Sequence, residues 1–164
     1  MNSRIVGVVG VLLALWMSIG RWPFGIMGPL SLWFVATIGF AYAALQIWLA
    51  HRLVVTKRLG KRNRRSVTVT LILSWACAIG FGFTAPESTP DGLVSLLGHW
   101  SGSAFSSEMS IALCNPLGII AFVLVIFAIG IAYADVRERV EEDEYLDDAP
   151  QMVRHPLATP PAGE

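Results

Sequence analysis

The chain has 164 residues, of which 54% are hydrophobic and 15% are charged. Water-soluble domains carry about 25% charged residues, so this composition disfavours a soluble protein. Twelve Lys and Arg residues balance twelve Asp and Glu residues, so the net charge is zero. A globally basic nucleic-acid-binding protein and an acidic solvating protein are therefore both disfavoured.

Four segments contain no charged residue and no histidine: 5–20, 30–50, 67–83 and 111–134. A helix rises about 1.5 Å per residue and the hydrocarbon core is about 30 Å thick, so the second and fourth segments are long enough to cross it. The other two are shorter and need help from neighbouring residues, such as a snorkelling Arg4. Soluble helices are excluded because four such runs would leave too little polar surface. The sequence predicts an all-α membrane protein with four transmembrane helices in an antiparallel bundle.

The first segment also resembles the apolar core of a signal peptide, with Arg4 before it. No small-x-small cleavage site follows, since the next residues are Gly20-Arg21-Trp22-Pro23. We therefore expect it to remain as the first span. Two prolines and two glycines in residues 21–29 predict a tight apolar turn before the second span.

Orientation follows from the distribution of Lys and Arg. Residues 51–65 hold seven of the twelve, and we call this segment the basic loop: Arg52, Lys57, Arg58, Lys61, Arg62, Arg64 and Arg65. Residues 84–110 hold none. The positive-inside rule places the basic loop in the cytoplasm, so four spans put both termini there as well. This indicates a multi-pass plasma-membrane protein, and the lack of external N-glycosylation sites is compatible with a bacterial cell.

The external connection, residues 84–110, contains one predicted element. Thr89 is a possible N-cap, Pro90 follows it, and an apolar stripe comes next at helical spacing: Leu93, Leu96, Leu97 and Trp100. We expect a short amphipathic helix there, followed by a serine-rich loop over 101–110. Asn115, directly before Pro116, is expected to cap the fourth span.

The residues that carry metal and redox chemistry are few. Cys77 and Cys114 form no Cys-x-x-Cys pair, which favours two inert thiols over a disulfide between spans three and four. The three histidines do not cluster as haem or zinc ligands, so we expect no cofactor, metal site or catalytic residue. One external set could bind a cation: His99 with Glu87, Asp91 and Glu108.

Polar and small residues inside the spans indicate contacts between helices. Gln46 is the strongest polar group, and with Tyr42 and Ser74 it is expected to form interhelical hydrogen bonds. Small residues recur at four-residue spacing, which allows close approach within the bundle, to a partner protein or to a second copy: Gly39/Ala43, Ala76/Gly80 and Ala128/Ala132.

After the last span the chain becomes acidic and then proline-rich. We expect residues 135–140 to extend the last helix, and residues 149–164 to be disordered. Residues 1–140 thus form the membrane domain and 141–164 a cytoplasmic acidic tail with Glu141, Glu142, Asp143, Glu144, Asp147 and Asp148. The basic loop is expected to bind anionic lipid headgroups, and one hypothesis is that the acidic tail competes with lipid for it.

Three classes of function fit this reading. The first is a non-catalytic accessory or interaction subunit of a membrane assembly. The second is a transporter or channel component in which several copies form a path. The third, with least support, is a membrane enzyme that uses His99 and the external acids. The spans lack the ionisable residues that coupled transport normally leaves inside a membrane, which favours the first class.

Overall fold

The structure is a computed structural model that describes residues 3–26, 28–58, 65–90, 92–102 and 105–148. It is mostly helical. In chain order the elements are α1 (Ser3–Ile19), a 3₁₀ turn (Trp22–Phe24), α2 (Pro29–Phe34), a π-helical turn (Val35–Gly39), α3 (Phe40–Arg58), α4 (Arg65–Thr84), β1 (Pro86–Thr89), β2 (Gly92–Ser95), α5 (Leu96–Ser101) and α6 (Ser107–Asp148).

Three helical stretches are long and apolar enough to cross a membrane: Pro29–Lys57, Arg65–Thr84 and Ser107–Asp135. They correspond to the second, third and fourth predicted spans, and each extends beyond the predicted limits. The remaining apolar helix, α1, has 17 residues. This length stands at the lower limit for a transmembrane helix, so length and composition support three spans directly.

The second stretch is one continuous helical path with a change of winding. Pro29 occupies its first turn, where a missing N–H costs little. The π-helical turn at Val35–Gly39 lies where this path approaches α1: the Ser18 hydroxyl is 3.3 Å from the carbonyl oxygen of Phe34. A side chain at Gly39 would overlap that hydroxyl, so glycine permits the close approach of the two helices.

The helices pack along their lengths. α1 packs against α3 and α4, and both α3 and α4 pack against α6. The shared core is aliphatic, with Leu13 and Met17 from α1, Leu49 from α3, Leu71 from α4 and Val125 from α6. Most of the small residues noted above lie inside this packing: Gly39, Ala43, Gly80, Ala128 and Ala132, whereas Ala76 is exposed.

The predicted helix start in the connection between α4 and α6 is wrong. Residues 86–95 form an antiparallel β-hairpin, with Thr89 paired to Gly92, rather than the start of a helix capped by Thr89. Gly92 has a φ of 119° at the end of the hairpin turn, a conformation that glycine tolerates. The helix that follows is only six residues long, and the Ser95 hydroxyl caps it by accepting a hydrogen bond from the Gly98 N–H at 3.0 Å.

The last helix is longer at both ends than predicted. It begins at Ser107, where the Ser106 hydroxyl accepts a hydrogen bond from the Met109 N–H at 3.2 Å. Asn115 therefore lies inside the helix with Pro116 and does not cap it, and the serine-rich loop is correspondingly shorter. The helix ends at Asp148, so the first eight residues of the acidic tail are helical. The predicted disorder of 149–164 falls outside the described residues.

Candidate functional site

A buried ion pair lies at the hairpin end of the molecule, which we define as the end where α1 and α4 finish and α6 begins. Arg21 follows α1 and is 1% exposed, while Glu87 lies in β1 and is 0% exposed. The distance between Arg21 Nη2 and Glu87 Oε2 is 3.6 Å. Buried charges are costly unless they are paired and hydrogen-bonded, so the surrounding groups decide what this pair does.

Arg21 is held by backbone carbonyls as well as by its counterion. Nη1 donates to the carbonyl of Ala85 at 2.7 Å, and Nη2 donates to the carbonyl of Ser18 at 3.2 Å and to the Ser31 hydroxyl at 3.4 Å. The guanidinium also lies over the Phe34 ring, 5.2 Å from its centroid. One side chain thereby joins the end of α1, the start of α2 and the segment that leads into the hairpin.

Glu87 accepts hydrogen bonds at both carboxylate oxygens. Oε1 accepts from the N–H of Leu30 at 2.9 Å and from the N–H of Ser88 at 3.2 Å, while the Ser31 hydroxyl donates to Oε2. The Leu30 N–H lies in the first turn of α2, where it has no partner within the helix. Gly28, the residue before this helix, approaches so closely that any side chain there would overlap the Glu87 carboxylate.

Burial lowers the pKa of Arg21 from its ordinary value, and the neighbouring Glu87 carboxylate acts in the opposite direction. Arg21 and Glu87 form an ion pair because arginine is effectively always protonated in proteins. An acid whose two oxygens are both occupied by donors is poorly placed to transfer a proton or bind a metal. The arrangement is therefore a structural clamp between the helix ends and the hairpin.

The clamp argues against the external cation site that the sequence suggested. Glu87 is engaged by Arg21, His99 and Glu108 are exposed, and Asp91 lies outside the described residues. In the described part of the chain, no three His, Cys, Asp or Glu side chains converge as metal ligands do. Cys77 and Cys114 are both free thiols in the structure, so no disulfide joins α4 to α6.

Sequence reasoning missed the pairing of Arg21 with Glu87. The sequence places Arg21 in the apolar turn and Glu87 in the external set that could bind a cation, and no motif in it pairs the two. The available signal was a single basic residue between spans one and two, opposite an acid directly after span three. In a low-dielectric environment, two such charges at the same end of a bundle are stabilised by pairing.

An aromatic row also lies at the hairpin end. We use this name for Trp16, Phe83, Trp100 and Phe24, whose rings make successive edge or tilted contacts with centroid distances of 5.0, 5.9 and 5.3 Å. Trp16 also links helices, since its indole N–H donates to the carbonyl of Ile79 at 3.1 Å. Trp100, the third ring of the row, is 57% exposed, so its indole is largely uncovered.

At the opposite end, the basic residues have varied surroundings. Arg52 is half-buried, and its guanidinium lies 3.8 Å from the centroid of the Tyr133 ring. Lys57 and Arg65 are exposed, and Arg58 is the last residue of α3. The rest of the basic loop, Lys61, Arg62 and Arg64, lies outside the described residues. The acidic residues Glu141, Glu142, Asp143, Glu144, Asp147 and Asp148 all lie on the last turns of α6.

Of the polar residues predicted to form interhelical hydrogen bonds, Tyr42 and Ser74 do so, whereas the prediction is wrong for Gln46, whose buried amide has no hydrogen-bond partner among the described residues. Tyr42 of α3 and Ser74 of α4 are hydrogen-bonded at 2.9 Å, and the Ser74 hydroxyl also lies 2.8 Å from the Ala121 carbonyl of α6. Gln46 is buried beside them and packs against Gly10 of α1, where a side chain would overlap it. These groups hold the helices together, and they do not line an open path.

Comparisons with known proteins identify no relative: no family model, no curated protein and no solved structure matches the chain.

Proposed function

We propose that this protein is a non-catalytic accessory or interaction subunit of a plasma-membrane assembly. In this proposal α1 joins the three longer helices as a fourth span in an antiparallel bundle, with both termini in the cytoplasm. Its 17 residues suffice if Arg4 extends to the headgroups, and α1 packs beside α3 and α4. The excess of basic residues between α3 and α4 supports the orientation.

The observation that carries the proposal is the buried Arg21–Glu87 pair. Both carboxylate oxygens and both terminal guanidinium nitrogens are hydrogen-bonded, whereas Arg21 Nε has no hydrogen-bond partner among the described residues. The pair joins the end of α1, the start of α2 and the hairpin, and the aromatic row lies at the same end of the molecule. Rigid, exposed tryptophans are the side chains that most often dominate the affinity of protein interfaces. An end that is held in one shape and presents Trp100 is suited to binding a partner, either another membrane protein or an external domain.

Purification in a mild detergent tests this proposal. We expect a stoichiometric, unrelated protein to co-purify with the intact chain and to be lost with Trp100→Ala. The matched control is Trp48→Ala: Trp48 is 50% exposed and contacts an aromatic ring, Tyr133, but lies on α3 away from the aromatic row. Equal loss in both variants would show that the effect is not specific to the hairpin end.

The same experiment separates the alternative functions. A closed homo-oligomer without any other protein would favour the transporter or channel component over the accessory subunit. A monomer that retains no partner under several mild detergents would contradict both. An enzyme that uses His99 would require an activity that His99→Ala abolishes.

We further propose that the acidic tail competes with anionic lipid for the basic loop. Between Asp135 and Asp148 the helix α6 extends about 20 Å, so the acidic residues are carried on a helical extension. Deleting residues 141–164 should increase protease protection of the loop in vesicles with anionic lipid and leave it unchanged in zwitterionic vesicles. Identical protection of both chains in both vesicles would contradict the competition.

A further inference from the structure

A groove of about 670 Å³ runs between α1 and α3 near the end that carries the basic loop. Gly7, Val8 and Val11 line it from α1, and Ile47 and Ala50 line it from α3. The groove is deep at this point because its base is formed by two small residues, Gly7 and Ala50. A Cβ added at Gly7 would be 3.5 Å from the Cβ of Ala50, which is an ordinary contact distance. α1 and α3 therefore pack closely at these two residues and leave a groove on their outer side.

The groove has one polar end and one apolar end. Ser3, Arg4 and His51 lie at the end nearest the basic loop, and Leu12 lies at the other end with Ile47. Arg4 and His51 are exposed, as is Leu12, so the groove is open to the surroundings along its length. An amphipathic molecule with a charged head and an apolar chain matches this distribution.

The dimensions match half of a bilayer. Arg4 and Leu12 are separated by eight residues, or about 12 Å of helix, while the hydrocarbon of one leaflet is about 15 Å deep. A chain lying in the groove would therefore reach nearly to the bilayer centre with its headgroup beside Arg4. Arginine carries five N–H donors, so its guanidinium can contact a phosphate together with another group.

We propose that this groove binds the acyl chain of an anionic phospholipid from the cytoplasmic leaflet, with the headgroup phosphate at Arg4 and His51. The assignment to that leaflet rests on the orientation proposed above, whereas the recognition of an anionic headgroup does not. Charge complementarity identifies the occupant, because Arg4 and His51 line one end of the groove and no acidic residue lines it among the described residues. The acyl chain fills the groove that α1 and α3 leave between them.

A second groove provides an internal control. It has a volume of about 520 Å³ and lies between α4, α6 and the π-helical turn, lined by Phe81, Gly118, Phe122 and other apolar residues. Among the described residues its only strongly polar lining residue is Asn115, and no charged residue lines it. An acyl chain can enter either groove, but only the first has an arginine and a histidine beside it as donors to a phosphate.

The test uses the full chain in phosphatidylcholine vesicles. These contain a probe lipid whose acyl chain bears a photoreactive diazirine and whose headgroup is either phosphatidylglycerol or phosphatidylcholine. After illumination, mass spectrometry of peptides gives the labelling of each groove. We expect the ratio of phosphatidylglycerol to phosphatidylcholine labelling to be at least about fivefold higher in the first groove, since one basic residue near a headgroup contributes about 1 kcal/mol.

Variants separate the charge from the shape of the groove. Arg4→Gln should lower the headgroup preference about fivefold, and His51→Gln provides a second test if that chain folds poorly. Gly7→Leu should fill the groove and lower labelling there from both lipids, while Gly7→Ala, which adds only a methyl group in ordinary contact, should retain it. Far-UV circular dichroism of each variant checks that the helices are intact.

Three results would overturn the proposal. One is an equal headgroup preference in both grooves, and another is a preference that survives both Arg4→Gln and His51→Gln. The third is a first groove that neither probe lipid labels. The variant Asn2→Cys, tested with an impermeant thiol reagent, reports the orientation separately. If the terminus proves external, the proposed topology fails while the headgroup preference still stands, because both leaflets hold the probe.

Discussion

Removing the positive charge of the buried clamp should destabilise the protein strongly. In Arg21→Met the Glu87 carboxylate, 0% exposed, would keep its bonds from Leu30 and Ser31 but lose its counterion at 3.6 Å. The carbonyl of Ala85 would also lose its donor. Breaking a buried pair on one side costs about 3–5 kcal/mol because a charge is left uncompensated in a low dielectric.

The assay is unfolding in mixed micelles of a mild detergent and dodecyl sulfate, followed by far-UV circular dichroism. Adding Glu87→Gln to Arg21→Met removes both charges and keeps an acceptor for the Leu30 N–H. We expect this double variant to recover at least about 1 kcal/mol relative to the single variant, since contacting residues couple by about 0.5–3 kcal/mol. A loss below about 1 kcal/mol in Arg21→Met, or a double variant less stable than the single one, would refute the reasoning.

Two further predictions concern contacts between helices, measured by the same unfolding assay. Gly82→Ala should cost about 1–3 kcal/mol because the new methyl group would overlap the Trp16 indole, whereas Gly130→Ala, with no atom within 4 Å of the new Cβ, should cost nothing. A similar effect in both would contradict the packing of α1 on α4. Ser74→Ala should cost about 0.6 kcal/mol for each interhelical hydrogen bond lost. Thr37→Ala, which loses a bond within its own helix, is the control; equal losses would argue against the α3–α4–α6 link.

Secondary structure in the apolar segments was predictable because it depends on local composition. Long runs without charged residues must satisfy their backbone groups internally when water is absent, and a helix does this within one segment. The residues at which the helices begin and end were harder to predict. Asn115 and Pro116 suggest a helix start, yet α6 begins at Ser107, since a proline within the apolar helix is tolerated where neighbouring groups compensate.

The hairpin end depended on contacts between distant residues. Thr89 and Pro90 favour a helix start by local preference, but pairing of Glu87 with Val94 places the Glu87 side chain where Arg21 and Leu30 meet it. The hairpin is stabilised because in this position the Glu87 carboxylate both pairs with the buried Arg21 and accepts a hydrogen bond from the first turn of α2. No pattern in residues 86–95 alone contains that information, because the partners lie more than fifty residues away in the chain.

The sequence alone thus determined that the chain is helical, that its helices suit a membrane, and that its positive charge is concentrated between α3 and α4. These properties follow from the composition of consecutive residues. Only the tertiary structure decided that Arg21 and Glu87 form a clamp, and that Gly7 and Ala50 leave a groove beneath a basic rim. Both depend on contacts between elements that are far apart in the chain. The free energy of burying Arg21 and Glu87, and the presence of a groove at Gly7, are set by the side chains that pack against them from other elements.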